Sequence, residues 1–298
     1  MAAAAAATAG DEWADGWTWS EDSLRLHWLE RAGTDPARPA LLCLPGLTRN
    51  ARDFLGLSRI IDAGWRIIAV DLRGRGDSGW AKDALSYVPF TYGRDIGRII
   101  AAAGVERFAV IGNSLGGLLA LQLTTAHRAA MAGVILNDIG PAVEPGGLAR
   151  LRANVGRTGN WPTWIHAARD FAVRHRDLYP EWQLADWLAF ARRLCCLSPA
   201  GRVIFDYDPR IAEPMRLPNF DAGTDYWAAM ERLAGLPVLS LRAAGSDVLS
   251  AGTQGQMQRR LPGLQAITVP GVGHAPTLEE PVAAAALRAF LDGLMGRT

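Results

Sequence analysis

Gly112-Asn113-Ser114-Leu115-Gly116 is the stretch of this chain that decides its fold. The apolar residues 108–111 before it predict a short buried strand, and the Leu- and Ala-rich residues 115–127 after it predict a helix. A serine on a sharp turn between a strand and a helix lies in strained backbone, with its hydroxyl exposed at the top of a sheet. Such a turn has no room for bulk two residues to either side, which accounts for Gly112 and Gly116. Ser114 is therefore the candidate nucleophile.

A serine hydroxyl is a poor nucleophile until a base takes its proton, and histidine is the usual base. His274 lies in the turn-rich segment 270–276, between an apolar strand and a C-terminal helix. A glycine-flanked histidine on such a loop is free to reach the end of a neighbouring strand, so we take His274 as the base. The remaining histidines fall in predicted strands or helices and are interpreted as surface or core residues: His27, His127, His166 and His175.

Two aspartates compete for the role of the carboxylate that orients His274. Asp247 lies on the loop that leaves the predicted buried strand 237–241, and Asp138 follows the predicted strand 133–136. Both residues lie beyond the C-terminal end of a strand, so both are expected at the same edge of a parallel sheet.

Four separated segments of the chain resemble the α/β-hydrolase fold family in its lid-bearing, esterase-like form. They are Leu44-Pro45-Gly46-Leu47, Asp71–Ser78, Gly112–Gly117 and Gly271–His274, and the resemblance runs from about Trp17 to Leu294. It implies an α/β fold with a mostly parallel eight-stranded sheet flanked by helices, and an inserted helical lid. It also favours Asp247 as the acid, because the acid and histidine loops of the family usually pair. Asp138 is the alternative, since some members place the acid there.

The resemblance further implies an oxyanion hole built from two backbone N–H groups, those of Leu47 and Leu115. The chain departs from the family at this loop, because Pro45-Gly46 stands where His-Gly is usual. Backbone donors do not depend on the replaced side chain, so we expect the hole to form without the usual histidine-anchored hydrogen bonds.

The alternation of strand and helix patterns breaks after Gly140 and resumes at Pro237. We therefore expect a disordered tail over residues 1–12, a hydrolase core over residues 13–139 and 237–298, and a helical lid without a buried strand over residues 140–236. The inner face of a lid lines the substrate cavity, which makes Trp161, Trp164 and Trp187 candidate substrate contacts. These tryptophans favour a hydrophobic acyl or alkyl group over a charged one.

Composition narrows the partners to a small hydrophobic molecule and leaves the oligomeric state open. A net charge of +1 without a basic run argues against nucleic acid, and no apolar stretch reaches the ~18 residues of a membrane span.

Cys43, Cys195 and Cys196 form no plausible disulfide framework, which favours a cytoplasmic location. No cysteine and histidine cluster has metal-ligand spacing, and the glycine-rich segment 74–79 does not open a helix directly, so we expect no metal or cofactor.

The leading function hypothesis is a serine hydrolase that cleaves a carboxylic ester through an acyl-enzyme. One alternative is a carbon–carbon bond hydrolase of aromatic ring-cleavage products, which Gly112-Asn113-Ser114 resembles. Pro45-Gly46 and Ala275 depart from that family, which has a His-Gly-rich loop and usually an aromatic residue after the catalytic histidine. The other alternative is a ligand receptor on the same fold that retains the triad.

Overall fold

The computed structural model describes residues 12–217 and 225–296. Within these ranges the chain forms one eight-stranded sheet, a separate two-stranded hairpin and eight α-helices. The tail predicted for residues 1–12 lies almost entirely outside the described residues.

The large sheet has the strand order β1-β2-β4-β3-β5-β6-β9-β10. β2 pairs antiparallel with β1 and with β4, and the pairings from β4 to β10 are parallel. This is the mostly parallel eight-stranded sheet that the sequence predicts. Its strands are β1 Trp13–Trp19, β2 Arg25–Arg31, β3 Ala40–Leu44, β4 Ile67–Asp71, β5 Phe108–Asn113, β6 Met131–Asn137, β9 Val238–Ala243 and β10 Leu264–Val269.

Helices cover both faces of this sheet, so its central strands are buried along nearly their whole length and are mostly apolar. Every residue of β3, β4 and β6 is buried. Neighbouring residues of β3, Leu41 and Leu42, belong to different hydrophobic clusters, because successive side chains of a strand point to opposite faces. The flanking helices are α1 Pro89–Ala102, α2 Leu115–His127, α6 Tyr226–Glu231, α7 Ala251–Arg260 and α8 Pro281–Met295.

The connection between β6 and β9 holds the inserted segment. It contains α3 Pro145–Asn154, α4 Trp164–His175, α5 Leu184–Leu194 and the hairpin of β7 Cys195–Leu197 with β8 Val203–Phe205. Each strand of this hairpin has one buried residue, Cys195 in β7 and Val203 in β8, and its other residues are half-buried or exposed. The covering segment is therefore a mixture of helices and a short antiparallel hairpin.

Helix α6, at the end of the insertion, belongs to the layer beside the sheet. It packs against α2, and Arg128 Nε donates to the Arg232 carbonyl oxygen just beyond α6 at 2.8 Å. Its residues Ala229 and Met230 join the hydrophobic cluster on that face of the sheet. Helix α6 therefore belongs to the flanking layer, and none of its residues lines the cavity described below.

Candidate active site

Ser114 lies on a tight turn between β5 and α2, with its backbone at φ 52° and ψ −117°. This left-handed conformation is costly for a residue with a side chain, by roughly 1–3 kcal/mol, and such strain concentrates at functional sites. The glycines at either side of the turn are required by close packing. A Cβ on Gly112 would lie 2.4 Å from Gly117 Cα, and one on Gly116 would lie 2.0 Å from the Leu44 carbonyl oxygen.

Ser114, His274 and Asp138 form a continuous chain of hydrogen bonds. His274 Nε2 lies 2.8 Å from Ser114 Oγ, and His274 Nδ1 lies 2.7 Å from Asp138 Oδ2. The Asp138 side chain is completely buried, and its other oxygen accepts a hydrogen bond from the Ala243 backbone N–H at 2.8 Å. Asp138 is therefore held in one orientation, with a single oxygen left to face the imidazole.

The prediction that Asp247 orients His274 is wrong in this structure. Arg150 on α3 binds both Asp247 oxygens, with its Nε at 2.5 Å and its Nη2 at 2.7 Å. This hydrogen-bonded guanidinium holds the pKa of Asp247 below its usual range. The strand order explains why Asp138, and not Asp247, reaches His274: β6 lies beside β5, whereas β9 is one strand further from the nucleophile. Asp138, at the end of β6, is consequently the nearer carboxylate.

The loop after β3, which carries the first of the two expected oxyanion donors, approaches the nucleophile. A Cβ on Gly46 would lie 3.7 Å from Ser114 Cβ, and Leu47 lines the same cavity as the serine. Leu115, which carries the second expected donor, is the first residue of α2. Arg75 holds the loop, since its Nε donates to the Leu47 carbonyl oxygen at 2.9 Å. The buried Arg75 guanidinium thus fixes this loop, in which Pro45 occupies the position of the usual histidine.

Ser114 and His274 open into a cavity of about 650 Å³ between the carboxyl edge of the sheet and the insertion. Of the three predicted substrate contacts, Trp161 lines this cavity. Trp187 is buried against Phe190, and Trp164 packs against the Arg192 guanidinium. Neither of these two tryptophans lines the cavity. The aromatic lining residues are Phe54, Trp161, Phe171, Tyr179, Phe190, Phe205 and Tyr207.

The cavity wall also carries arginines, which the sequence analysis did not identify. They are Arg49, Arg150, Arg157, Arg174 and Arg193. Four of them bind carboxylates: Asp53, Asp247, Asp170 and Glu279 respectively. Arg157 has no carboxylate partner among the residues that the structure describes. The single lining carboxylate besides Asp53, within the described ranges, is Asp177.

His175 also lines the cavity, although its sequence context did not indicate this. Burial lowers its pKa, and the nearby charges of Arg150 and Arg174 lower it further. The imidazole therefore favours its neutral form, and it packs against the Phe190 ring at 6.3 Å between ring centroids. A neutral ring surrounded by aromatic groups extends the apolar part of the wall.

A second histidine network lies away from the cavity, where β1 and β2 meet β4. The ligand atoms of His27, Asp71 and Asp77 lie within 4.8 Å of one another, close enough to be tested as a metal site. Both imidazole nitrogens already face carboxylates, Nδ1 at 2.7 Å from Asp71 and Nε2 at 3.0 Å from Asp15. The cluster is therefore explained as a buried histidine with carboxylate partners.

Among the described residues, no helix is long and apolar enough to cross a membrane.

Comparison with known proteins places this geometry in a family. Residues 41–287 match the model of the alpha/beta hydrolase family. The chain is 31% identical over 273 residues to the 3-hydroxybutyrate-oligomer hydrolase of Cupriavidus necator, a match that covers 87% of this chain and 90% of that protein.

Solved structures agree. An alpha/beta hydrolase from Novosphingobium aromaticivorans is 46% identical, with a TM-score of 0.89 over 94% of this chain and 98% of that one. E-2-(acetamidomethylene)succinate hydrolase is 21% identical, with a TM-score of 0.77 over 94% of this chain and all of the other (100%), and it shares the fold.

Proposed function

Because the chain belongs to the alpha/beta hydrolase family and is a hydrolase, we propose that it cleaves a carboxylic ester through an acyl-enzyme formed on Ser114. The observation that carries this proposal is the hydrogen-bonded chain from Ser114 Oγ through His274 to Asp138, which opens into the cavity. A serine so connected to a buried carboxylate has the arrangement of a hydrolytic triad.

In the proposed mechanism His274 Nε2 takes the proton of Ser114 as the serine oxygen attacks the ester carbonyl. The Leu47 and Leu115 N–H groups hold the negative oxygen that forms, and Asp138 stabilises the imidazolium. The imidazolium then protonates the leaving alcohol, which departs and leaves the acyl group on Ser114. Water, deprotonated by His274, attacks the acyl carbon. The bond from this carbon to Ser114 Oγ then breaks, the imidazolium returns its proton to the serine oxygen, and the acid is released. Asp138 accepts a hydrogen bond from the imidazole throughout and takes no proton.

The residues of the cavity wall are suited to an ester substrate that carries both an apolar group and a free carboxylate. The aromatic residues suit the hydrophobic acyl or alkyl group that the sequence analysis expected. Arg157 adds a cation without a carboxylate partner among the described residues, and Tyr207 Oη fixes its backbone by donating to the Arg157 carbonyl oxygen at 2.6 Å. Esters of short hydroxy acids that keep a free carboxylate fit both features. The name of the relative from Cupriavidus necator, a 3-hydroxybutyrate-oligomer hydrolase, points to the same class.

The first test concerns the nucleophile. Ser114→Ala should lower kcat on 4-nitrophenyl butyrate by about 10⁶-fold without lowering thermal stability, as in other serine triads. A fluorophosphonate probe should label Ser114 in the original protein, as located by peptide mass spectrometry, and should not label the variant. An active variant would refute the ester mechanism. Turnover of a vinylogous 1,5-diketone without ester turnover would favour the carbon–carbon hydrolase, and binding without turnover would favour the receptor.

The second test concerns the carboxylate of the substrate. Dimeric 3-hydroxybutyrate should be cleaved with a higher kcat/KM than its methyl ester, and Arg157→Gln should remove most of this preference, about tenfold for one charge-assisted hydrogen bond. Arg169→Gln is the matched control, because Arg169 is exposed on α4 outside the described cavity lining. Equal kcat/KM values for acid and methyl ester would contradict this substrate class and leave the triad assignment intact.

A further inference from the structure

Asn137, the last residue of β6, lies between the segments that carry the three triad side chains. It is fully buried in the floor of the cavity and directly precedes Asp138. Its backbone carbonyl oxygen accepts a hydrogen bond from the Ser114 N–H at 3.0 Å. Its side-chain Nδ2 donates to the Pro276 carbonyl oxygen at 2.8 Å and to Asn113 Oδ1 at 3.3 Å. One residue therefore contacts both the nucleophile turn and the histidine loop.

The bond to Pro276 matters because the histidine loop leaves the sheet after β10 and must return His274 to Ser114. Before His274, the loop is held by the Gly245 N–H, which donates to the Val272 carbonyl oxygen at 3.0 Å. After His274, the side chain of Asn137 ties the loop directly to the central sheet. A histidine fixed on both sides keeps its ring within hydrogen-bonding distance of both Ser114 and Asp138.

The unused acceptor of Asn137 argues that its side chain is not retained for packing. Its Oδ1 is buried and accepts no hydrogen bond from the described part of the chain. An unsatisfied buried acceptor costs roughly 1–3 kcal/mol, and the preceding residues of β6 from Val134 to Leu136 are apolar. An apolar residue would fill this position without the cost of an unsatisfied acceptor. The role of Asn137 must therefore lie in the hydrogen bonds that its Nδ2 donates.

We propose that Asn137 is a positioning residue of the hydrolytic reaction, acting through His274 by anchoring the Pro276 carbonyl. This inference rests on the proposed function of the triad. Misplacement of a catalytic group by about 1 Å can cost about 100-fold in rate, so loss of the anchor should lower kcat by about 10- to 100-fold. KM should change little, because the anchor supports the histidine and the substrate binds along the aromatic and arginine wall.

The test uses Asn137→Leu, which keeps the approximate side-chain volume and removes the donor. We expect the loss of kcat given above, and an equal fall in the rate at which the fluorophosphonate labels Ser114. The matched control is Gln254→Leu on α7, whose buried amide donates to the Ser240 carbonyl oxygen and to Ser240 Oγ, both at 3.1 Å. Gln254 does not line the cavity, and its amide bonds to Ser240 rather than to a triad residue, so its replacement should lower the melting temperature and leave kcat unchanged.

A double-variant comparison separates positioning from general damage. If Asn137 acts through His274, Asn137→Leu should reduce the residual activity of a His274→Ala protein by less than about twofold, because residues that act as a unit are not additive. A folded Asn137→Leu protein with unchanged kcat, or one whose loss is fully retained in the His274→Ala background, would overturn the inference. If Asn137→Leu does not fold, Asn137→Ser is measured in the same way. An active Ser114→Ala protein would instead refute the proposed function itself.

Discussion

The individual side chains around His274 differ in what else they bind. Asp138 is buried, and one of its oxygens is committed to a backbone N–H and the other to the imidazole. Asp247 lies close enough for the charge of His274 to act on it, yet both of its oxygens face Arg150. The division of roles between the two aspartates is therefore decided by their partners, since both follow strands of the same sheet.

This arrangement predicts opposite outcomes for two matched substitutions. Asp138→Asn should lower kcat by about 10⁴-fold, because an amide at this position favours the wrong imidazole tautomer. Asp247→Asn should change kcat by less than about threefold, since a half-exposed ion pair contributes about 1 kcal/mol or less. Both variants are assayed on one ester at one pH, with thermal melts to detect misfolding. The assignment fails if Asp247→Asn is the more damaging of two folded proteins.

The two N-terminal strands of the sheet are linked to β4 by a charged network. His27 on β2 lies between Asp71 on β4 and Asp15 on β1, with Asp77 nearby, and the Trp17 ring packs on it at 4.4 Å between centroids. Burial alone would lower the pKa of His27, but the hydrogen bond and charge of Asp71, followed by the hydrogen bond of Asp15 and the charge of Asp77, raise that pKa above its ordinary value. The network thus favours the imidazolium in the folded protein.

A raised pKa in the folded state fixes the sign of a pH effect on stability. The contribution of His27 is fully present below the pKa of the unfolded chain, about 6.5, and is lost as the pH rises through the folded pKa. We expect the melting temperature to fall as the pH increases above about 6.5, and we expect a smaller slope in His27→Gln. Thermal melts between pH 6 and 9 measure both slopes. Equal slopes would show that His27 is not the titrating group.

Local sequence patterns predicted most strands and the nucleophile turn, because burial and glycine requirements are set by residues close in the chain. Helix α2 begins and ends where the pattern indicates, at Leu115 and His127. The choice of acid was not predictable in this way. It depends on β6 lying between β5 and β9, and on Arg150 reaching Asp247 from the insertion. The cavity arginines were missed for the same reason, since helix periodicity does not show which face covers the site.

Across the protein, ion pairs join the insertion to the sheet and its loops. Two arginines of the insertion bind carboxylates of the core: Arg150 binds Asp247, and Arg193 binds Glu279. In a third pair, Arg52 of the core binds Asp206 of the insertion. Within the insertion itself the contacts are aromatic, such as Trp161 against Phe171 and Phe205. The insertion is therefore joined to the core by charges at its margin and is packed internally by aromatic contacts.

Added salt should weaken the ion pairs at the margin of the insertion more than the aromatic contacts inside it. In 1 M NaCl the screening length falls to about 3 Å, so the half-exposed pair of Arg150 and Asp247 loses most of its attraction. We expect faster amide hydrogen exchange in α3 in 1 M than in 0.05 M NaCl, while exchange in β5 stays unchanged. The variant Arg150→Gln/Asp247→Asn supplies the control, and its α3 should respond less to salt. An equal response in both proteins would show that this pair does not hold α3.

The position of Asp138 has a consequence for the order in which the protein acquires activity. Ser114 and Asp138 both lie at the ends of adjacent strands in the single unit β5–α2–β6, whose parallel pairing runs from Phe108↔Met131 to Asn113↔Asn137. Contacts between segments close in the chain form early in folding, so the nucleophile and acid can be correctly spaced once this unit has formed. His274 comes from the loop before the last helix. During synthesis or refolding, the completion of catalysis therefore awaits the C-terminal segment, and recovery of turnover should follow recovery of helical structure.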